Sequence, residues 1–285
     1  MQPPLQAIIN GRLLYENEAA LSIHDLSIVR GYGIFDYFKT VNHDPVFWED
    51  NLDRFYHSAC LMDLPVPYTR DELKSQIRLL MGANNIADSG IKLLLTGGIS
   101  PDGYSIARPN LVITQHPLKR HLEKERAGIK LITYDYHRPF GTVKSIDYVM
   151  GIHALKKAKA VGAEDVVYAQ HGVLSECPRA NIFFIDQNGT LLTPQDEVLP
   201  GITRKYVLEV ARGHMNVETR AVTLGDMYDA QEAFITSTTK NITPVLRIDN
   251  VEYGKEPGPV TRLLQRLLEP LVYTGPHGSA NSYNP

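Results

Sequence analysis

Apolar residues fall in short runs along the chain, and their spacing changes from one stretch to the next. Leu5–Ile9 and Arg12–Tyr15 flank Asn10-Gly11, a pair that suits a two-residue type I′ turn and predicts a hairpin. Ile34–Val41 (IFDYFKTV) is rich in aromatic and β-branched residues and predicts a strand. Over 50–64, Leu52, Phe55, Tyr56, Ala59, Cys60 and Leu61 recur at helical spacing until Pro65 stops them. A second helix is expected over 70–81, with Thr69 as its N-cap. Ile91–Thr96 and Leu111–Thr114 read as buried strands. Pro117–Gly128 (PLKRHLEKERAG) carries charge without apolar periodicity and reads as a solvated connection.

Beyond it the rhythm differs. A strand is expected at Ile129–Tyr134, then a helix over about 145–161 in which Ile146, Val149, Met150, His153 and Lys157 mark one face. Strands follow at Asp165–Ala169, Ala180–Asp186, Thr190–Thr193, Glu232–Thr236 and Pro244–Ile248, with helices near 203–212 and 259–268. Strands and helices interleave without a strict βαβ alternation, so the fold class is α+β rather than a doubly wound sheet. The expected organisation is an N-terminal domain over 1–117, a linker over 118–128, a larger domain over 129–273 and a disordered tail over 274–285.

Composition narrows the function. Of 285 residues, 43% are hydrophobic and 21% charged, which fits an ordinary globular protein. Lys plus Arg is 29 against 32 Asp plus Glu, a net charge of −3 that argues against a nucleic-acid partner. The two cysteines, Cys60 and Cys177, are too few for a disulfide framework and lack metal-ligand spacing, so no metal is expected. No secretory signal and no membrane-length apolar run is read, and the expected location is the cytoplasm.

Four features remain. Lys144 sits in TVKSIDY, where a strand-like approach turns into a helix. Glu176 ends the apolar run GVLSE, and a glutamate led into the interior must be paired or cost several kcal/mol. Pro200-Gly201-Ile202-Thr203 opens a helix, whose free N–H groups suit an anion. Thr236-Ser237-Thr238-Thr239 ends a strand with four hydroxyls in a row. Each alone is a solvated lysine, a paired acid or a polar turn. Pyridoxal 5′-phosphate explains them together: its aldehyde takes a lysine amine, its pyridine nitrogen a carboxylate, its phosphate a helix N-terminus and hydroxyls.

The order TVKSIDY, GVLSECPRANIFF, LPGITRKYV and FITSTTKNITPV resembles the fold type IV (class IV) pyridoxal-phosphate enzymes, from about Asn10 to Leu268. That group includes branched-chain aminotransferases, D-amino acid aminotransferases and aminodeoxychorismate lyases. The Ser237-Thr238-Thr239 and Ile242-Thr243-Pro244-Val245 stretches are most similar to the D-amino acid branch. The resemblance implies a small N-terminal α/β domain, a larger C-terminal pseudobarrel, a cofactor between them and a homodimer. It implies that Lys144 is the Schiff-base lysine and proton shuttle, and Glu176 the carboxylate on the pyridine nitrogen. Arg54, Ile202, Thr203, Ser237 and Thr238 would form the phosphate cup, Tyr148 would lie near the ring hydroxyl, and Leu199 would pack on the ring face. Arg30, Tyr32, Phe35, Arg179 and Thr239 would face the substrate. The implied reaction is ping-pong transfer between an amino acid, D-alanine or D-glutamate, and a 2-oxo acid such as 2-oxoglutarate or pyruvate. The alternatives are a branched-chain L-amino acid aminotransferase, an aminodeoxychorismate lyase, or a non-catalytic module retaining the fold.

The sequence departs from that branch at the substrate carboxylate. Phe35 stands where the D-amino acid enzymes usually carry a tyrosine, and Ser100-Pro101-Asp102-Gly103-Tyr104 contains no Arg-x-His pair. Guanidinium matches a carboxylate in bidentate fashion, so Arg179, helped by Arg30, is expected to take that role.

Overall fold

The computed structural model describes residues 4–118 and 127–274. Residues 119–126 of the expected linker and 275–285 of the expected tail lie outside the described residues. The chain divides into two compact units; among the described residues, one holds 4–118 with Val143–Asp147, and the other holds 127–142 with 148–274.

The first unit contains strands β1 (Gln6–Ile9), β2 (Arg12–Tyr15), β3 (Gly33–Val41), β4 (Asp44–Pro45), β5 (Ser89–Thr96) and β6 (Leu111–Pro117). They form an antiparallel sheet in the order β2-β1-β6-β5-β3-β4. The expected hairpin is present, with Asn10 and Gly11 both at positive φ (50° and 80°), as a type I′ turn requires. Helices α1 (Leu26–Val29), α2 (Trp48–Leu61) and α3 (Arg70–Asn84) complete the unit. Thr69 and Glu72 form a reciprocal capping box at the start of α3. Helix α2 packs on β3, and α3 on β1 and β6. The core joins Leu52 and Phe55 of α2, Leu73 and Ile77 of α3, and the strand residues Ile34, Phe38, Leu93 and Ile113.

The helix expected from Ser145 begins only at Val149, as α4 (Val149–Ala160). The intervening backbone pairs with β3 instead. Phe35 N–H donates to the Lys144 carbonyl at 2.9 Å, and Ile146 N–H to the Gly33 carbonyl at 3.0 Å. Val143 is fully buried in the first unit's core. A segment read from sequence as part of the second half is thus bound into the first unit.

The second unit contains β7 (Ile129–Asp135), β8 (Asp165–Gln170), β9 (Val173–Leu174), β10 (Glu176–Cys177), β11 (Ala180–Ile185), β12 (Leu191–Pro194), β13 (Val217–Arg220), β14 (Val222–Thr223), β15 (Glu232–Ser237), β16 (Asn241–Ile248) and β17 (Val251–Glu252). Helix α4 is joined by α5 (Ile202–Arg212), α6 (Leu224–Asp229) and α7 (Pro259–Tyr273). The sheet runs β13-β12-β11-β15-β16-β7-β8-β9-β14, with β10 on β11 and β17 on β16. Strands β12 and β14 approach one another, so the path nearly closes into a pseudobarrel. Its core includes Leu131, Val167, Ile182, Phe184, Leu192 and Val245. Helices α5 and α7 pack together and cover β15. The short apolar strand expected ahead of Glu176 appears as β9 and β10, whereas α1, α6, β13 and β14, elements of two to six residues, are too short for a periodic signal and have no counterpart in the sequence reading.

Phe55 is fully buried between helix and sheet. Phe55→Ala is expected to cost about 3–5 kcal/mol in equilibrium denaturation. A loss below about 1 kcal/mol would mean that the core collapses around the deletion.

Candidate active site

Lys144 is set by the pairing just described, and its own N–H donates to Ser58 Oγ of α2 at 3.2 Å. Its ammonium lies 4.7 Å from the centroid of the Phe35 ring, within cation–π range. Lys92 of β5 meets the same ring at 5.0 Å, and burial pushes its pKa down. The Phe35 ring therefore meets two amines.

Arg54 and Asp36 form a pair inside the first unit. Arg54 Nε donates to Asp36 Oδ2 at 2.9 Å and Nη2 to Oδ1 at 2.8 Å, while Nη2 also reaches Asn51 Oδ1 at 3.2 Å. Arg54 is 7% exposed and Asp36 0%. Alternation along β3 turns Asp36 toward the helices with Ile34 and Phe38, so an ionised aspartate there needs the cation that α2 supplies. Arg30 is exposed and donates to the carbonyl of Val29. The Tyr32 hydroxyl donates to the Met62 carbonyl at 2.7 Å. In the 100–105 loop, Asp102 accepts from Ser100 Oγ, from the N–H groups of Tyr104 and Ser105, and from Ser105 Oγ. These bonds, the Ser105 ones foremost, hold its pKa well below the usual carboxylate range.

In the second unit, Glu176 is 4% exposed. Arg138 donates to its Oε1 from Nε at 3.0 Å and from Nη2 at 2.6 Å, and the same Nη2 reaches the Gly141 carbonyl. Asn181 Nδ2 and the Leu199 N–H donate to Oε2 at 3.1 and 3.0 Å. A cation and neutral donors on both oxygens favour the anion over the acid. Leu199, half-buried, thus belongs to the same network through its backbone.

Helix α5 begins with Ile202 and Thr203, each 8% exposed, after Gly201, which makes no side-chain cap. The N–H groups of this first turn have no intrahelical acceptor, and the dipole there is positive. Helix α5 packs against β15, which ends in Thr236 and Ser237. Thr236 Oγ1 is buried without a hydrogen-bond partner among the described residues. Ser237 and Thr238 are half-buried and Thr239 exposed. Tyr148, half-buried, is the residue before α4. The Arg179 side chain is 65% exposed, on the β10–β11 turn, with its guanidinium 3.5 Å from Asp165. Among the described residues no group of three or more His, Cys, Asp or Glu could hold a metal ion.

The first unit thus holds an amine against the Phe35 ring, and the second holds a buried, hydrogen-bonded carboxylate whose network reaches the start of α5. Residues 33–248 match the family described as amino-transferase class IV. The chain belongs to the class IV aminotransferases. It is 28% identical over 272 residues to a D-alanine aminotransferase of Bacillus licheniformis, covering 93% of this chain and 96% of that protein. It is 29% identical over 274 residues to a putative branched-chain-amino-acid aminotransferase of Methanocaldococcus jannaschii, covering 92% and 94%. Among solved structures, the Escherichia coli branched-chain aminotransferase superposes with a TM-score of 0.88 at 22% identity, over 95% of this chain and 96% of that one. A hypothetical aminotransferase of Mycobacterium tuberculosis in its PLP-bound form superposes with a TM-score of 0.83 at 24% identity, over 94% and 99%.

Within this class IV aminotransferase, Arg138, Asn181 and Lys92 escaped the sequence reading. Arg138 lies in a loop, HRPFG, whose only signal was its turn residues. Asn181 is a polar residue opening the buried run NIFFI, which was the available clue. Gly201 is needed for close approach, since a Cβ there would lie 2.0 Å from Asn181 Oδ1. Gly201→Ala is expected to destabilise the protein by about 1–3 kcal/mol, seen as a lower unfolding midpoint. An unchanged midpoint would show that the connection into α5 yields freely.

Proposed function

We propose that this class IV aminotransferase carries an amino group from a D-amino acid, D-alanine or D-glutamate, to a 2-oxo acid such as 2-oxoglutarate or pyruvate. The buried Glu176 carboxylate, met by Arg138, Asn181 and the Leu199 N–H, is the observation that carries the reading. Such an anion holds a proton on a pyridine nitrogen, which a merely structural acid has no need to do. Pyridoxal 5′-phosphate, when bound, supplies the aldehyde that accepts the amino group and the ring that withdraws electrons from the substrate Cα.

The residues present fit that group. The uncapped first turn of α5 and the unpartnered Thr236 hydroxyl suit phosphate oxygens, with Ile202, Thr203, Ser237 and Thr238 as the cup. Arg54 would add a cation to that cup, its reach governed by its pairing with Asp36. Lys144 would attach the cofactor through Nζ and then move the proton at the substrate Cα. Its amine lies against the face of Phe35, which orients it. Tyr148 would steady the ring hydroxyl and Leu199 the ring face. Arg179 would take the substrate carboxylate, since its guanidinium is exposed and its contact with Asp165 is a long one, 3.5 Å. Arg30, Tyr32, Phe35 and Thr239 would complete the substrate side. The enzyme would act as a homodimer, as the fold type IV resemblance implies, and its expected place is the cytoplasm.

The D assignment draws on the relatives named D-alanine aminotransferase, which align along most of the chain. A branched-chain L-amino acid enzyme is the second reading, favoured by Phe35, by the 100–105 loop without Arg-x-His, and by the archaeal relative. Half-reactions of the yellow holoenzyme followed by absorbance decide between them. Bleaching by D-alanine or D-glutamate supports the first reading; bleaching by L-leucine alone moves the assignment to the second. A protein that takes up no cofactor overturns both. Arg179→Gln is expected to raise KM for amino acid and 2-oxo acid together by about tenfold or more, the scale of a lost charge-assisted hydrogen bond. Unchanged KM values would remove Arg179 from the substrate site.

A further inference from the structure

We propose that Asn181 is a positioning residue: one amide group fixes both the Glu176 carboxylate and the backbone entering α5. The inference rests on the reading that this chain binds pyridoxal phosphate, and it assigns a role to a residue outside the cofactor-contacting set named above.

Asn181 is 5% exposed and stands in register between Glu176 of β10 and Thr236 of β15. Its Nδ2 carries two protons and both are used, one on Glu176 Oε2 at 3.1 Å and one on the Leu199 carbonyl at 2.9 Å. The Leu199 N–H returns to the same Oε2 at 3.0 Å. Glu176, Asn181 and Leu199 therefore close a ring of hydrogen bonds. The ring extends to the helix: Gly201, the N-cap of α5, donates to the Leu199 carbonyl at 2.8 Å, and its missing Cβ leaves the space that Asn181 Oδ1 occupies. The carboxylate meant for a pyridine nitrogen and the N–H groups meant for a phosphate are thus referred to one side chain. Their separation is set by these hydrogen bonds rather than by the cofactor.

Only an amide satisfies this arrangement. Aspartate has the same shape but no donor, and it would set a second anion against Glu176. Glutamine is one methylene longer, and Gly201 leaves no room for it. The charged groups that face the amide are Glu176 itself, Arg138 on its other oxygen, and Arg204 of α5, on which the Glu176 charge acts. The arginines do not titrate near neutrality, so a new carboxyl at position 181 supplies the pH dependence.

Asn181→Asp tests the assignment on the whole chain. Apo-protein is titrated with pyridoxal phosphate by absorbance from about pH 5.5 to about pH 8.5, and variant and wild type are compared as a ratio of Kd values. The expected ratio is about tenfold or more at the alkaline end and falls toward one as the introduced carboxyl takes up a proton and regains a donor. A ratio that stays flat with pH, with or without a lowered unfolding midpoint, overturns the proposal, because a structural role moves stability alone. If the aspartate variant fails to fold, Asn181→Ser keeps one donor without charge. It is expected to raise Kd at all pH values, and an unchanged Kd overturns the proposal. A wild type that binds no pyridoxal phosphate removes the functional reading and this inference together. Tight wild-type binding with a flat ratio removes the inference alone.

Discussion

A carboxylate withdrawn from water persists as an anion only where donors replace its hydration, and the second unit is arranged around that requirement at Glu176. Three pieces of chain far apart in sequence meet there: the 138–141 turn, strand β11 and the connection into α5. Asp36 poses the same problem in the first unit and is answered by Arg54 from α2. Asp25 and Glu232 are also buried, yet neutral groups serve them: Thr96, Asn110 and Ser27 for the first, the start of α7 for the second. Close arginine pairs serve Asp36 and Glu176, while Asp165 meets the exposed Arg179 only at 3.5 Å. The Glu176 network reaches the start of α5, and Thr236, in register with Asn181, has a buried hydroxyl with no hydrogen-bond partner among the described residues.

That rigidity has a chemical consequence. An acceptor held by backbone and buried side chains does not reorganise when charge develops next to it, which is the condition for electrostatic stabilisation. The backbone that carries Lys144 is fixed as an added rung on β3, and its amine lies 4.7 Å from the Phe35 ring centroid. Arg30 and Arg179, by contrast, are exposed, and Asp102 is knotted into its own loop by serine and backbone donors.

Much of the fold could be read before any coordinates. The Asn10-Gly11 hairpin, the helix stopped by Pro65, the Thr69 cap and the principal strands of both units follow from periodicity and turn chemistry, which are local properties. The start of α4 could not be read that way. Residues 145–148 have a helical apolar pattern, but 144–146 bond to β3 across more than a hundred residues of chain, and a tertiary hydrogen bond outweighs a weak local preference. Arg138 and Asn181 were missed for the same reason. Their roles depend on which strand lies opposite, and nothing within a few residues of either says so.

The amino-acid sequence by itself determined the α+β class and the motifs that mark a class IV aminotransferase, because those depend on residue type and short-range order. Tertiary structure alone decided that Lys144 belongs with the N-terminal strands, that Arg54 is paired with Asp36, and that Glu176 is held by Arg138, Asn181 and a backbone N–H. The physical reason is that a buried charge takes its partners from whatever the fold brings within about 3 Å, and strand register sets that distance, not proximity in the chain.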